Sequence, residues 1–246
     1  MKKVLWTMGL FSLLLPCFAV AGSKAGEAVK QKIVVEKVDG LREDFMKGVD
    51  ISMIDQIERS GGKFYNARGE LADIFEILKE NGVNYVRIRL WNNPTYESDV
   101  KDKKGNVVAK KGDKMGGGNN DIETDLRIAK RIKAAGLKFM LDFHYSDFWA
   151  DPGKQYMPQD WKNLSAKELE NEVEKFTRET INRFVDEGAA PDSVQIGNEL
   201  NSGFMWPIGQ LWSDDPSVKI GGMKQFTRLL DRCSKGVRAA RGGENI

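Results

Sequence analysis

From about residue 45 the chain runs through one cycle four times, and each pass ends in glycine. An apolar segment of strand length leads into a loop, then into a segment whose apolar residues fall three and four apart, then to a stop. The first pass sets Phe45 to Ser52 as strand and Leu71, Ile74, Phe75 and Leu78 as one helix face, closed by Asn81-Gly82. The second takes Val83 to Leu90, then Ile122, Leu126, Ala129 and Ile132, closed by Gly136. The third takes Leu137 to Phe143, then a helix that opens with the capping pair Ser165 and Glu168 and runs through Leu169, Val173, Phe176, Thr180 and Phe184 to Gly188. The fourth strand lies in Ser193-Val194-Gln195-Ile196-Gly197-Asn198-Glu199, and its helix carries Phe226, Leu229, Leu230, Cys233 and Val237 before Gly242-Gly243. Strands alternating with amphipathic helices make βαβ units and a parallel sheet, so the fold class is α/β.

Loop lengths decide between the α/β architectures. The segments that follow strands, Trp91 to Asp121, His144 to Leu164 and Leu200 to Gly222, are far longer than the turns that follow helices. One-sided elaboration of this kind belongs to a (β/α)8 TIM-barrel, whose working face is built from βα loops. A dinucleotide-binding sheet needs a glycine-rich turn after its first strand, and Ile51 to Arg59 has no glycine. Residues 45–246 are therefore expected to hold about the first four β/α units, the N-terminal half of such a barrel. Four units are expected to leave an apolar inner sheet face and a strand edge uncovered. Gly116-Gly117-Gly118-Asn119-Asn120 has no Lys-Ser/Thr after it and reads as a flexible loop feeding a helix capped by Asp121. Glu97 to Lys114 reads as a charged, solvated excursion.

The chain opens Met1-Lys2-Lys3, follows with an apolar run from Leu10 to Val20, and offers Ala19-Val20-Ala21 before Gly22. A basic start, a short apolar centre and a small-x-small site describe a signal peptide over residues 1–21, cleaved after Ala21, and a secreted or periplasmic protein. Pro16 before Cys17 argues against a lipoprotein anchor. Residues 22–44, rich in Lys, Glu and Gly, read as an extension or linker. Cleavage removes Lys2 and Lys3 and no acid, which brings 38 basic residues into balance with 36 acidic ones and leaves no basic field for nucleic acid or membrane. One histidine, His144, and the cysteine left after cleavage, Cys233, cannot build a zinc site of the usual kinds and make a Cys-His nucleophile unfavourable. No cofactor or metal is expected.

Chemistry concentrates at the carboxyl ends of the strands. Glu199 ends the fourth with an amide, Asn198, beside it and Trp206 and Trp212 in the loop beyond, which is the equipment for acid-catalysed cleavage of a sugar polymer. Arg87 and Arg89 lie two apart on one strand face, where carboxylates must meet them or their stems must cover a sheet edge. Asp142-Phe143-His144-Tyr145-Ser146-Asp147-Phe148-Trp149 gathers two acids, the single histidine and aromatic rings into the end of the third strand, a composition suited to oligosaccharide.

Phe45-Met46-Lys47-Gly48-Val49-Asp50, Val86-Arg87-Ile88-Arg89-Leu90-Trp91 with Asn93-Pro94, Gly116 to Asp121, Leu141 to Pro152, and Gly197-Asn198-Glu199 with Trp206-Pro207 together resemble the endo-β-1,4-galactanases of glycoside hydrolase family 53. The resemblance covers roughly residues 45–245 and is weakest between Tyr96 and Lys114. It implies an endo-acting, retaining hydrolase of β-1,4-galactan or arabinogalactan, the side chains of plant pectin. Carried across, Glu199 resembles the acid/base, Asn198 the amide that meets the sugar 2-hydroxyl, and Arg87 the basic residue beside the nucleophile, with His144 in support. Asp50, Trp91, Asp142, Asp147, Trp149 and Trp206 are assigned to substrate contact. The family's nucleophile stands on strand seven, which these residues do not reach. The implied alternatives are a galactanase whose second carboxylate lies elsewhere and a non-catalytic half-barrel that binds sugar or a partner chain.

Overall fold

A computed structural model describes residues 36 and 38–246. The signal-peptide assignment and most of the 22–44 extension lie outside the described residues, and Asp44–Ile246 forms one compact unit. Its elements run β1 (Gly48–Asp50), α1 (Ile54–Arg59), α2 (Ile74–Glu80), β2 (Tyr85–Leu90), β3 (Val100–Lys101), β4 (Val107–Ala109), α3 (Ile122–Ala134), β5 (Lys138–Phe143), α4 (Ala166–Asp186), β6 (Ser193–Ile196), β7 (Gly203–Phe204), β8 (Gly209–Gln210) and α5 (Gly222–Ala239). The main sheet has the order β1-β2-β5-β6, every pair parallel. These are four β/α units side by side, in the order the repeat implies.

Boundaries depart from the sequence reading for local reasons. The first strand shrinks to three residues, stapled to β2 by Asn84, whose Nδ2 donates to the Phe45 carbonyl and whose Oδ1 accepts from the Lys47 amide. Helix α2 starts three residues later than Leu71 because the Asp73 side chain accepts from the Phe75 N–H and caps it there. Leu71 instead bridges to Tyr65 and is exposed. The six-residue α1 was not legible in the periodicity, since a single buried side chain, Ile54, anchors it. Within the charged excursion, β3 and β4 pair as an exposed antiparallel hairpin.

Register sorts the sheet into two faces. Partners Asp50, Arg87 and Met140 lie on one side together with Arg89, Asp142 and Gln195, while Val49, Val86, Ile88, Leu90, Phe139, Leu141, Phe143, Val194 and Ile196 alternate to the other. The second set packs under the helices with Leu126, Ala129, Ile132, Leu169, Val173 and Phe184, fully buried except Val49, Val194 and Ile196 on the two edge strands, which are partly buried. Helices α4 and α5 cross so closely that a Cβ on Gly236 would lie 2.6 Å from the Glu174 carbonyl, which restricts that position to glycine. The expectation of an apolar inner face is corrected: that face carries Tyr85, Arg87, Arg89, Lys138, Met140, Asp142, Ser193 and Gln195. Its groups hydrogen-bond across the concavity, as Tyr85 does to Ser193 at 2.9 Å over the intervening β5.

Candidate active site

Arg87 stands at the centre of the polar face. Its Nη1 donates to Asp50 on β1, its Nη2 to Asp142 on β5 and to Asn198 Oδ1 (2.9 Å) beyond β6, and its Nε to Gln195 (3.2 Å) on β6. One planar guanidinium thus joins every strand of the sheet, using the donor fork that lysine lacks. Arg87 and Arg89 stand on β2, a central strand and not a sheet edge, and meet the carboxylates they require in Asp50 and Asp142. Burial raises the Asp50 carboxyl, but the Ser52 N–H and hydroxyl and the Arg87 guanidinium outweigh it and hold Asp50 below the usual carboxylate range. Arg89 is buried, and desolvation depresses it. It donates to the Gly117 carbonyl (2.8 Å) and lies 4.0 Å from the Trp149 ring centroid, a cation–π contact that covers one face of that ring.

His144 is a buttress. Its Nδ1 accepts from Trp91 Nε1 (3.1 Å) and from the Ala150 amide (3.2 Å), so the ring proton sits on Nε2. That nitrogen is 3.1 Å from Asp142 Oδ2, out of line for a hydrogen bond. Asp142, His144 and Trp91 are all at most 1 % exposed, so none of the three reaches a ligand across the surface. The assignment of Asp142 and Trp91 to substrate contact is corrected on that ground. Asp147 is part-buried, and its two oxygens accept the Asn93 (3.0 Å) and Gln159 (2.7 Å) amides and clamp two βα loops together. Burial lifts its carboxyl above the usual range despite those bonds, with Asp160 and Glu97 adding to the rise.

Strand β6 ends one residue before Gly197, whose φ of +83° and near contact with Leu200 exclude any side chain. The chain turns there, so Asn198 and Glu199 stand past the strand and not in it. Asn198 is 9 % exposed and fixed at both ends, with Oδ1 on Arg87 and Nδ2 on the Ala150 carbonyl (2.8 Å). Glu199 adopts the left-handed conformation (φ 49°, ψ 52°), uncommon for a residue with a side chain. Its backbone is held by Gln155, whose Nε2 donates to the carbonyls of Asn198 (2.7 Å) and Glu199 (3.2 Å). The Glu199 side chain is exposed, and among the described residues no group hydrogen-bonds its carboxylate. Trp149, Trp206 and Asp50 keep accessible surface on the same side.

Several contributors carried no signal of their own. Gln155, 1 % exposed, sits in a loop whose neighbours give no period to read. Gln195 was findable, because alternation from Ser193 puts it on the polar face. The glycine loop is tied down by side chains: Gly118 N–H donates to Gln56 (2.6 Å), Arg59 to Asn119 (3.0 Å), and Asn120 to Ser52 and Asp125. Its glycines serve close approach, since a Cβ on Gly117 would lie 3.3 Å from both Trp91 and Trp149. Asp125 is wholly buried, and desolvation raises its carboxyl well above the usual range. Cys233, the lone described thiol, is buried and pushed up to about 12 by desolvation, which leaves it inert as a nucleophile. Among the described residues no group of His, Cys, Asp and Glu has the arrangement of a metal site.

Comparison with known proteins meets this geometry from the other side. Residues 46–246 match the model of Glycosyl hydrolase family 53. The endo-beta-1,4-galactanase of Bacillus subtilis (strain 168) is 38% identical over 211 residues, 86% of this chain and 42% of that protein. The arabinogalactan endo-beta-1,4-galactanase of Humicola insolens is 35% identical, over 79% of this chain and 49% of its own. The chain spans about half the length of the curated relatives it matches. Among solved structures, the Ignisphaera aggregans GH53 catalytic domain superposes with a TM-score of 0.73 at 38% identity, covering 86% of this chain and 53% of that one. A fungal beta-1,4-galactanase gives 0.64 at 33%, covering 80% and 50%. With the parallel β/α units in order and the family match running almost from the first strand to Ile246, the chain belongs to glycosyl hydrolase family 53 and has the fold of part of its TIM barrel.

Proposed function

We propose that the protein takes part in endo-hydrolysis of β-1,4-galactan or arabinogalactan by a retaining double displacement, with Glu199 as the acid that protonates the leaving oxygen and then the base that activates water. The observation that carries this reading is the contrast among the carboxylates at the mouth of the sheet. Glu199 is exposed and unbonded beside an anchored Asn198, and an acid that must give and retake a proton needs that freedom. Asn198, with its amide orientation set by Arg87 and Ala150, suits a sugar hydroxyl next to the reacting carbon. Arg87 orients that amide and balances the charge of the inner face.

Retention needs a second carboxyl group about 5 to 5.5 Å from the first. Asp50 and Asp142 are engaged by Arg87, and Asp147 by two backbone amides. None of the three matches the nucleophile position that the resemblance implies, and we assign that role to the family's seventh strand. The same engagement favours a second reading for the 246 residues alone: a body that binds galactan without cleaving it. Secretion or periplasmic placement belongs to the proposal as well, on the strength of the first 21 residues.

The test is reducing-end release from β-1,4-galactan. Residues 22–246 are expected to release none, and a protein extended through four further β/α units to release them only with Glu199 intact. Glu199-dependent hydrolysis by the short form would make one of the three aspartates the second carboxylate and overturn the assignment.

A further inference from the structure

Behind Asp50 the polar face continues inward as a chain of buried side chains out of a ligand's reach. Asp50, exposed at the end of β1, accepts on one oxygen from the Ser52 amide (3.0 Å) and hydroxyl (2.7 Å) and on the other from Arg87. Ser52 is 1 % exposed, and its Oγ accepts the Arg89 amide at 3.0 Å, which leaves the hydroxyl proton to Asp50. The Ser52 carbonyl accepts from Asn120 Nδ2 at 2.9 Å, and the same nitrogen donates to Asp125 Oδ1 on α3 at 2.8 Å. The Asn120 carbonyl in turn accepts the Trp91 amide at 2.8 Å. One fully buried asparagine thus ties the ends of β1 and β2 to α3. A strand of three residues paired on one side needs such a tie to fix its last side chain.

The far end of the chain is an acid with no cation at ion-pair distance among the described residues. Asp125 is wholly buried, its Oδ2 has no hydrogen-bond partner there, and desolvation raises its carboxyl well above the usual range. The charged groups facing it are Arg89 on β2, Asp50 on β1 and Asp121 at the cap of α3, and the two carboxylates favour its neutral form. A neutral acid still accepts from Asn120 on Oδ1, and an amide of the same shape does likewise.

We infer that Asp125 and Asn120 are positioning residues that reach no ligand themselves and set Asp50 through Ser52. Where the inference extends to activity, it rests on the galactanase reading and on Asp50 meeting the sugar.

Carboxyl-carbon NMR titration of Asp50 in the 246-residue chain tests the relay without substrate. The charged groups facing Asp50 are Arg87 and Arg89 on β2 and Asp125 on α3, with Asp142 on β5 sharing the Arg87 fork. Ser52→Ala removes a bond that holds Asp50 below its ordinary value of 3.8 and is expected to raise the midpoint. Asn120→Ala and Asp125→Ala are expected to raise it by less, and Asp125→Asn, which keeps the acceptor, to move it much less than Asp125→Ala. In the protein extended through the remaining β/α units, Ser52→Ala and Asp125→Ala are expected to raise KM on galactotetraose about fivefold and to change kcat less than about twofold, whereas loss of folded protein lowers apparent kcat and spares KM. Asp125→Asn is expected to recover most of that loss, and Asp125→Ala to add nothing in an Asp50→Ala background. An Asp50 midpoint unmoved by Ser52→Ala or by Asn120→Ala overturns the relay, whether or not Asp125→Ala folds. Asp125→Asn acting as strongly as Asp125→Ala overturns it too. A shifted midpoint with unchanged KM overturns the role in substrate binding. No cleavage of galactotetraose by the extended parent would overturn the galactanase reading instead, and the titration still decides the relay.

Discussion

The two faces of the four-stranded sheet are made by the same strands, residue by alternate residue, and they solve opposite problems. On the helix side, Val86, Ile88, Leu90, Phe139, Leu141 and Phe143 are removed from water by packing alone, and any apolar group of the right size does the work. On the inner side, Arg87 holds Asp50, Asp142, Gln195 and Asn198 through individual bonds, and each depends on its partner's charge and shape. Loss on the first face leaves a cavity that nothing else fills. Loss on the second leaves an unmatched charge, which a second substitution repairs.

The largest effect separates the faces by activity. Glu199→Gln in the extended protein is expected to cut galactan hydrolysis about a thousandfold, while its thermal midpoint stays within about 2 °C of the parent because the side chain is exposed. Next come two stability losses of similar size and different kind. Phe139→Ala, on the packed face, is expected to cost about 3–5 kcal/mol in urea titrations. Arg87→Met leaves Asp142 buried without its cation and is expected to cost about 3–5 kcal/mol as well. Adding Asp142→Asn should restore much of the Arg87→Met loss and add nothing comparable to Phe139→Ala, which is the sharpest form of the contrast. Full additivity in both pairs would break it.

Smaller changes test the support around the acid. Gln155→Ala is expected to cost about 1–2 kcal/mol from its two lost bonds to the Asn198 and Glu199 carbonyls, and to lower kcat on galactan more than it raises KM. The smallest effects are pH-dependent and opposite in sign. Asp50 sits below its ordinary value of 3.8 in the fold, so its stabilisation is complete above that value and fades as pH falls through the lowered one; Asp50→Asn should flatten the acid limb of stability against pH. Asp125 sits well above 3.8, so its contribution is complete below that value and is lost as pH rises through the raised one; Asp125→Asn should flatten that limb instead.

The helix-facing side was legible in the sequence because packing writes itself as periodicity. Four strands, the short α2, three long helices and their order follow from apolar spacing and from Gly136, Gly188 and the Ser165–Glu168 cap. The inner face was half legible. Arg87 and Arg89 two apart announced a polar surface, yet which carboxylates meet them depends on register between strands far apart in sequence. Asp142 and Trp91 belong to the right neighbourhood, but local sequence does not tell a residue that touches a ligand from one buried behind it. Gln155 left no trace, since a loop side chain that reaches two backbone carbonyls of another loop follows no period.

The central claim is that Glu199 gives and retakes the proton, and azide rescue tests it most directly. In Glu199→Ala of the extended protein, an aryl β-galactobioside with a strongly activated leaving group needs no acid to depart, and azide needs no base to attack the glycosyl-enzyme. The expected result is turnover restored by azide, with galactobiosyl azide formed in the β configuration. Azide without effect, or an α-configured product, would contradict Glu199 as acid/base of a retaining enzyme.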